Sequence, residues 1–189
     1  MVEKILSDAN ALLKGHFMLT SGLHSEYYVE KIKMINNPKY VQALCALAAE
    51  KLQHYDFDVV IGPAYGGIVL AYELARILNK KFIFTQRKDE KMTIRSGFDL
   101  VAGDKAVVFE DIVTTGGSVK EVIEVLEDRQ IQIQAICCIV DRSNGVASFG
   151  YDFLPLHTMN IQAFEPENCP LCKASVPMVK PGASDKGKK

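Results

Sequence analysis

Glu110 and Asp111 stand side by side after an apolar run, Val107-Val108-Phe109, and the chain continues Ile112-Val113-Thr114-Thr115-Gly116-Gly117-Ser118. A buried strand thus delivers two carboxylates, then hydroxyls and glycines, into the start of a helix. Glycines let a backbone come close to a ligand, and a helix N-terminus offers unpaired N–H groups with partial positive charge. Such a turn cradles a phosphate. The segment lacks the lysine of GxxxxGK[ST], which argues against a nucleoside triphosphatase, and it does not read GxGxxG, which argues against a dinucleotide fold. Two carboxylates beside a phosphate would repel it, so they should accept hydrogen bonds from hydroxyls or face a metal. A phosphorylated sugar meets both requirements, with its phosphate on the amides and its hydroxyls on Glu110 and Asp111. A simple helix cap by Thr114 or Thr115 would also favour acids nearby, but it requires neither the second acid nor the double glycine.

Other segments carry related chemistry. Gly62-Pro63-Ala64-Tyr65-Gly66-Gly67 opens another helix after an apolar run and offers a second anion contact, although such a turn is common. Arg87-Lys88-Asp89-Glu90-Lys91-Met92-Thr93-Ile94-Arg95 holds four cations in nine residues. A run like this is usually a solvated face; at the active edge of a sheet, it could close over charge that grows in a transition state. Asp141-Arg142 ends a further apolar run. A guanidinium suits a planar carboxylate, although an arginine at a strand end is more often a surface ion-pair partner. Cys169 and Cys172 form one CxxC among prolines, whereas structural zinc wants four ligands. The histidines His16, His24, His54 and His157 show no metal-ligand spacing in the sequence. The CxxC is expected to be a reduced surface turn, with a labile disulfide or a shared metal as alternatives.

The elements that must position these groups alternate. Val2, Ile5, Leu6, Ala9, Leu12 and Leu13 predict a first helix ended by Gly15, and Phe17 to Glu30 a turn between two extended pieces. A helix follows over about Pro38 to Tyr55. Strands at Val59–Ile61, Phe82–Phe84, Ala106–Phe109 and Ile133–Val140 are separated by helices at Ile68–Leu78 and Ser118–Asp128, and Tyr151–Leu156 adds an edge strand. The polar stretch Gln86–Gly97 reads as a loop. Short apolar strands between helices indicate a parallel sheet covered on both faces, with the ligand beyond the carboxyl ends of the strands.

The chain has 189 residues, 48% hydrophobic and 24% charged, which fits one soluble domain. Its 22 basic and 23 acidic residues leave a net charge of −1, against a protein that binds nucleic acid through bulk charge. No apolar stretch approaches the roughly 20 residues that span a bilayer, and the N-terminus is no signal peptide. The expectation is a soluble intracellular protein, cytoplasmic, with neither nucleic acid nor membrane as partner.

The segment from Val107 to Ser118 resembles the ribose-5-phosphate signature of the type I phosphoribosyltransferases, and from Phe17 to about Arg142 the chain resembles their orotate-using branch. The Glu165–Pro181 tail is similar to one bacterial-type group of that branch. The resemblance implies an α/β fold with a central, mainly parallel sheet flanked by helices and a small hood. The single domain would span residues 1–181, with the hood at about 1–37 plus C-terminal pieces, and a disordered tail at 182–189. It implies transfer of ribose 5-phosphate from phosphoribosyl pyrophosphate to orotate in pyrimidine synthesis, through an oxocarbenium-like state. Phosphoribosyl pyrophosphate would be held by Arg87, Lys88, Lys91, Glu110, Asp111 and the backbone of Ile112, Val113, Thr114, Thr115, Gly116, Gly117 and Ser118. Lys91 and Asp111 would be catalytic, with Arg87, Lys88 and Lys91 reaching into the partner of a homodimer with shared sites. Thr114 and Arg142 would contact orotate. Mg²⁺ would be held mainly by substrate, with no protein ligand set. The sequence departs from many members at Thr93, where they have histidine, and at Thr20, where they have lysine. The rival readings are a purine-type phosphoribosyltransferase and a non-catalytic regulator sensing phosphoribosyl pyrophosphate.

Overall fold

Apolar runs too short and continuous for a surface strand must be covered on both faces, and here they form the middle of a six-stranded sheet. The computed structural model describes residues 1–19 and 21–181; Thr20 and the tail expected at 182–189 lie outside the described residues. The elements run α1 (Val2–Asp8), β1 (Leu12–Met18), β2 (His24–Val29), α2 (Ile32–Ile35), α3 (Pro38–Leu52), β3 (Val59–Pro63), α4 (Gly66–Leu78), β4 (Lys81–Lys88), β5 (Lys91–Ile94), β6 (Lys105–Val113), α5 (Gly117–Asp128), β7 (Gln132–Asp141), β8 (Phe153–Thr158), β9 (Ala163–Phe164), a 3₁₀ turn (Pro166–Asn168) and α6 (Pro170–Lys173). The large sheet has the order β5-β4-β3-β6-β7-β8. All its pairings are parallel except the antiparallel β4–β5 hairpin.

The sheet separates two cores. On one face Val60, Val107, Phe109, Cys137 and Ile139 pack with Leu44, Leu70 and Leu74 of α3 and α4. On the other, Val59, Ile61, Val108, Ile136 and Cys138 pack with Val119, Val122 and Leu126 of α5. Alternate residues of one continuous apolar run thus serve opposite faces, which is why these strands show no polar alternation. Helix α3 starts with Asn37, whose side chain accepts from the Lys39 amide at 3.1 Å, and with Pro38 in its first turn. A small sheet of order β1-β2-β9 packs beside the large one.

Two expectations are corrected. The first helix stops at Asp8, because Asn10 takes a left-handed φ of 48° and breaks the turn. Leu12 and Leu13 then pair with Val29 and Tyr28 across the β1–β2 hairpin, so their helical spacing was coincidental, and Gly15 lies within a strand. The stretch Gln86–Gly97 is no loop throughout: β4 continues to Lys88, turns at Asp89 and Glu90 (φ 51° and 65°) and returns as β5. Two positive φ values are what a tight two-residue hairpin needs, and Asp-Glu is an uncommon pair to supply them. The expected edge strand is present as β8. Among the described residues no helix is long and apolar enough to cross a membrane.

Leu126 is fully buried on the α5 face, away from the strand ends. Leu126→Ala should lower stability by about 2–5 kcal/mol, read as a shift in urea midpoint. A change below about 1 kcal/mol would mean that α5 is not packed as described.

Candidate active site

Strand β6 ends by burying both acids: Glu110 is 7% exposed and Asp111 2%. Their oxygens are met locally. Glu110 Oε1 accepts from the Asp111 amide at 2.9 Å, and Asp111 Oδ1 accepts from the Ile112 amide at 2.6 Å. Asp111 Oδ2 faces Lys31 Nζ at 2.7 Å. The pocket for that carboxylate exists because Gly66, at the start of α4, has no side chain; a Cβ there would overlap Asp111 Oδ2. The glycine-rich loop of β3–α4 and the acids of β6 therefore form one unit.

Lys31 was not anticipated from sequence, where Glu30-Lys31 after a strand looks like any surface pair. Burial alone would lower the Lys31 ammonium, but Asp111, helped by Glu110, outweighs it and holds the lysine above its ordinary range. Tyr28 belongs to the same neighbourhood: burial raises its phenol, Glu30 adds to that, and Lys31 and Arg142 oppose it. Burial and the neighbouring Asp111 charge push the Glu110 carboxyl well up, against the Asp111 amide and the Lys31 and Arg87 charges that pull it down.

Beyond the acids, Thr114 and Thr115 are exposed, and Gly116, the residue before α5, is left-handed (φ 78°) and gives the helix no side-chain cap. The first-turn amides are thus left to another acceptor, as an anion cradle requires and a threonine cap does not. A cavity of about 60 Å³, lined by Glu110 and Ile112 through Val119, opens at these amides.

Arg142 follows β7 and its amide donates to Val113 O at 2.8 Å, which fastens it beside the end of β6. Burial pulls its pKa down, with Tyr28 opposing. Among the described residues its Nε is buried without a hydrogen-bond partner, as are Thr85 Oγ1 and Ser143 Oγ. Arg142 and Ser143 lie just beyond the end of β7, and Thr85 lies within β4 opposite Pro63, the last residue of β3. Buried polar atoms are costly unless something supplies the missing partner.

The cationic hairpin is placed differently. Arg87 forks onto Glu121 of α5, with Nε at 3.0 Å and a terminal nitrogen at 2.6 Å. It is engaged within its own chain rather than free to meet a phosphate. Lys88 and Lys91 face each other in register across β4–β5, both exposed, and neither pairs with an acid among the described residues. Thr93 lies in β5 opposite Gln86. The histidines His16 and His24, which showed no metal-ligand spacing in the sequence, are brought by the fold against Cys169 and Cys172, and the expected surface turn is corrected in that Cys169 is fully buried. Three separate chain segments contribute, so no spacing in the sequence could reveal the cluster.

The raised Glu110 carboxyl gives a pH dependence. A group held protonated by burial contributes stability below its unfolded pKa, and that contribution is lost as pH rises toward its folded value of about 8. Glu110→Gln keeps an acceptor for the Asp111 amide and removes the buried charge. Its thermal midpoint should match that of the parent below about pH 4.5, exceed it increasingly as pH rises to about 8 and level off above that, as measured by calorimetry. A difference independent of pH would contradict the burial.

Residues 31–149 match the phosphoribosyl transferase domain family. An orotate phosphoribosyltransferase of Caldicellulosiruptor bescii is 45% identical over 183 residues, which cover 97% of this chain and 96% of that one. Among solved structures, orotate phosphoribosyltransferase from Aeropyrum pernix superposes with a TM-score of 0.73 at 26% identity, covering 84% of this chain and 94% of that chain. UMP synthase of Leishmania donovani gives 0.74 at 27% identity, over 84% of this chain and 36% of that chain. With the buried acid pair, the uncapped turn and near-complete alignment in agreement, the chain belongs to the phosphoribosyl transferase family, among its orotate phosphoribosyltransferases.

Proposed function

We propose that this chain transfers ribose 5-phosphate from phosphoribosyl pyrophosphate to orotate, giving orotidine 5′-monophosphate and pyrophosphate for UMP synthesis. The observation that carries the site assignment is the buried acid pair at the end of β6, set directly before an uncapped amide turn. A sugar phosphate needs that order: hydroxyls on Glu110 and Asp111, the 5′-phosphate on the amides from Thr114 to Ser118. The bond from ribose C1′ to a pyrophosphate oxygen breaks and a bond to orotate nitrogen forms. Positive charge grows on the ribose ring beside Asp111, and negative charge grows on the leaving group.

Lys91 and Lys88 neutralise that leaving group, and Arg87 joins them once it releases Glu121. The exposure of these cations supports a loop that acts on the site of a second subunit. Tyr65, Val69 and Tyr72 at the β3–α4 loop and on α4 are exposed apolar surface at 89%, 43% and 59%, which suits a homodimer interface beside the site. Mg²⁺ fits as an ion carried on substrate. Both Asp111 oxygens are already engaged, and Mg²⁺ keeps most of its ligands as waters and phosphate oxygens. When bound it would neutralise pyrophosphate charge. Arg142, desolvated and with an Nε unpaired among the described residues, favours a base bearing a carboxylate over a purine, and Thr114 would contact the same base. We place the enzyme in the cytoplasm, where its free cysteines fit a reducing environment.

A panel of orotate, adenine and hypoxanthine with phosphoribosyl pyrophosphate and Mg²⁺ tests the reading: orotate alone should be consumed. Turnover of a purine in its place would overturn it. Arg142→Gln should raise KM for orotate roughly 10–100-fold and leave KM for phosphoribosyl pyrophosphate nearly unchanged. Equal effects on both would remove Arg142 from the base site. The shared site has its own test. Lys91→Ala and Asp111→Asn should each be nearly inactive, and subunit exchange between them should restore about a quarter of parental activity, because half the dimers are mixed and each mixed dimer has one intact site. No recovery, with exchange confirmed by mass, would put Lys91 in its own subunit's site.

A further inference from the structure

His16 Nε2, His24 Nδ1, Cys169 Sγ and Cys172 Sγ all lie within 4.8 Å of one another. His16 Nε2 is 3.1 Å from His24 Nδ1, 3.6 Å from Cys169 Sγ and 3.7 Å from Cys172 Sγ. Cys172 Sγ is 3.2 Å from His24 Nδ1. A tetrahedral zinc with bonds of about 2.0–2.1 Å to nitrogen and 2.3 Å to sulfur sets its ligand atoms apart by about 3.3 Å for two nitrogens and about 3.5 Å for nitrogen and sulfur. The His16–His24 contact at 3.1 Å and the nitrogen–sulfur contacts at 3.2, 3.6 and 3.7 Å lie close to those separations, and the remaining pairs fall within 4.8 Å.

The tautomer of His16 points the same way. Its Nδ1 is 2.9 Å from the Val176 carbonyl oxygen, which can only accept, so Nδ1 carries the hydrogen. In the neutral ring, Nε2 then presents its lone pair to the other three groups. A hydrogen bond could serve one of them; a cation serves all four donors together. Histidine ligands commonly have their second nitrogen bonded to a carbonyl in this way, which fixes the ring. His16, His24 and Cys169 are 3%, 5% and 0% exposed, so the cluster is closed to solvent on most sides.

Local structure explains how the ligands meet. Between Lys14 and Phe17 the β1–β2 register shifts, two residues of β1 opposing one of β2, and His16 lies in that bulge. Bulges re-aim side chains. The chain from β9 to Val179 crosses the small sheet as a strap. It pairs with β2 at one edge and meets β1 at the other, where Met18 N donates to Val179 O at 3.0 Å and Val179 N to His16 O at 2.8 Å. Cys169 and Cys172 fall in the middle of that crossing, before and within α6.

We propose that these four residues form a structural Cys₂His₂ site for a tetrahedral, thiophilic divalent cation, zinc by ligand type, which fastens the strap to the β1–β2 hairpin. Four protein ligands leave no open position for chemistry, so the site is structural. Its effect reaches the active site through β2, which starts at His24 and leads to Lys31. The inference does not depend on the proposed reaction.

The test uses the untagged full chain, purified reduced and without chelators. Elemental analysis should find about one zinc per chain. Removing it should lower the thermal midpoint by about 5–10 °C, restored by added zinc. Replacement by Co²⁺ should give the visible bands of a tetrahedral thiolate site, a readout independent of turnover and of the Mg²⁺ requirement. Cys169→Ser with Cys172→Ser should abolish metal retention; if that variant does not fold, the cobalt spectrum of the parent decides alone. Metal below about a tenth per chain, with no cobalt bands and no thermal response to added zinc, would overturn the proposal. So would recovery of Cys169 and Cys172 as a disulfide from the reduced preparation, or full metal retention in the double variant.

Discussion

Burying two adjacent carboxyl groups at the end of a strand is costly unless donors replace the water they lose. The arrangement at Glu110 and Asp111 meets that condition with groups from three parts of the chain: amides of β6 itself, the Lys31 ammonium from the end of the small-sheet hairpin, and the space left by Gly66. Each supplier is therefore tied to the others. A side chain at Gly66 would displace the carboxylate that Lys31 holds, and a shift of β2 would withdraw Lys31. The pairing of Arg142 N with Val113 O adds the end of β7 to the same assembly.

That dependence explains why the site lies where the parallel strands end. The strands are buried on both faces, so their apolar runs leave polar chemistry only at the edge where β3, β4, β6 and β7 hand over to loops and helices. The unpaired atoms of Thr85, Arg142 and Ser143 are found there. A substrate rich in phosphate and carboxylate oxygens supplies acceptors for such donors, as the proposed reaction requires.

Much of this was legible in the sequence. The run from Val107 to Ser118 carries its meaning locally, because strand, acids, glycines and helix are consecutive and each constrains the next. The parallel sheet followed from the same apolar runs. What was not legible depended on long-range geometry or on weak periodicity. Leu12 and Leu13 fit a helical stripe and a strand equally well until Asn10 breaks the helix. The paired residues of the β4–β5 hairpin, Thr85–Lys88 with Lys91–Ile94, bury only Thr85 and Ile94, too few positions to set a period against their charges. Lys31 lies 80 positions before Asp111, and His16 lies 153 before Cys169 and 156 before Cys172, distances over which residue spacing has no bearing on contact.

The central claim is that Asp111 functions only in the space kept open by Gly66, and steady-state kinetics of Gly66→Ala test it most directly. The added methyl lies beside the carboxylate and not in a hydrophobic core, so the chain should still fold. Displacing Asp111 by about 1 Å should lower kcat/KM for phosphoribosyl pyrophosphate roughly 100-fold or more. A folded Gly66→Ala enzyme within about threefold of the parent would contradict the account, because the acid would then work without the geometry that holds it.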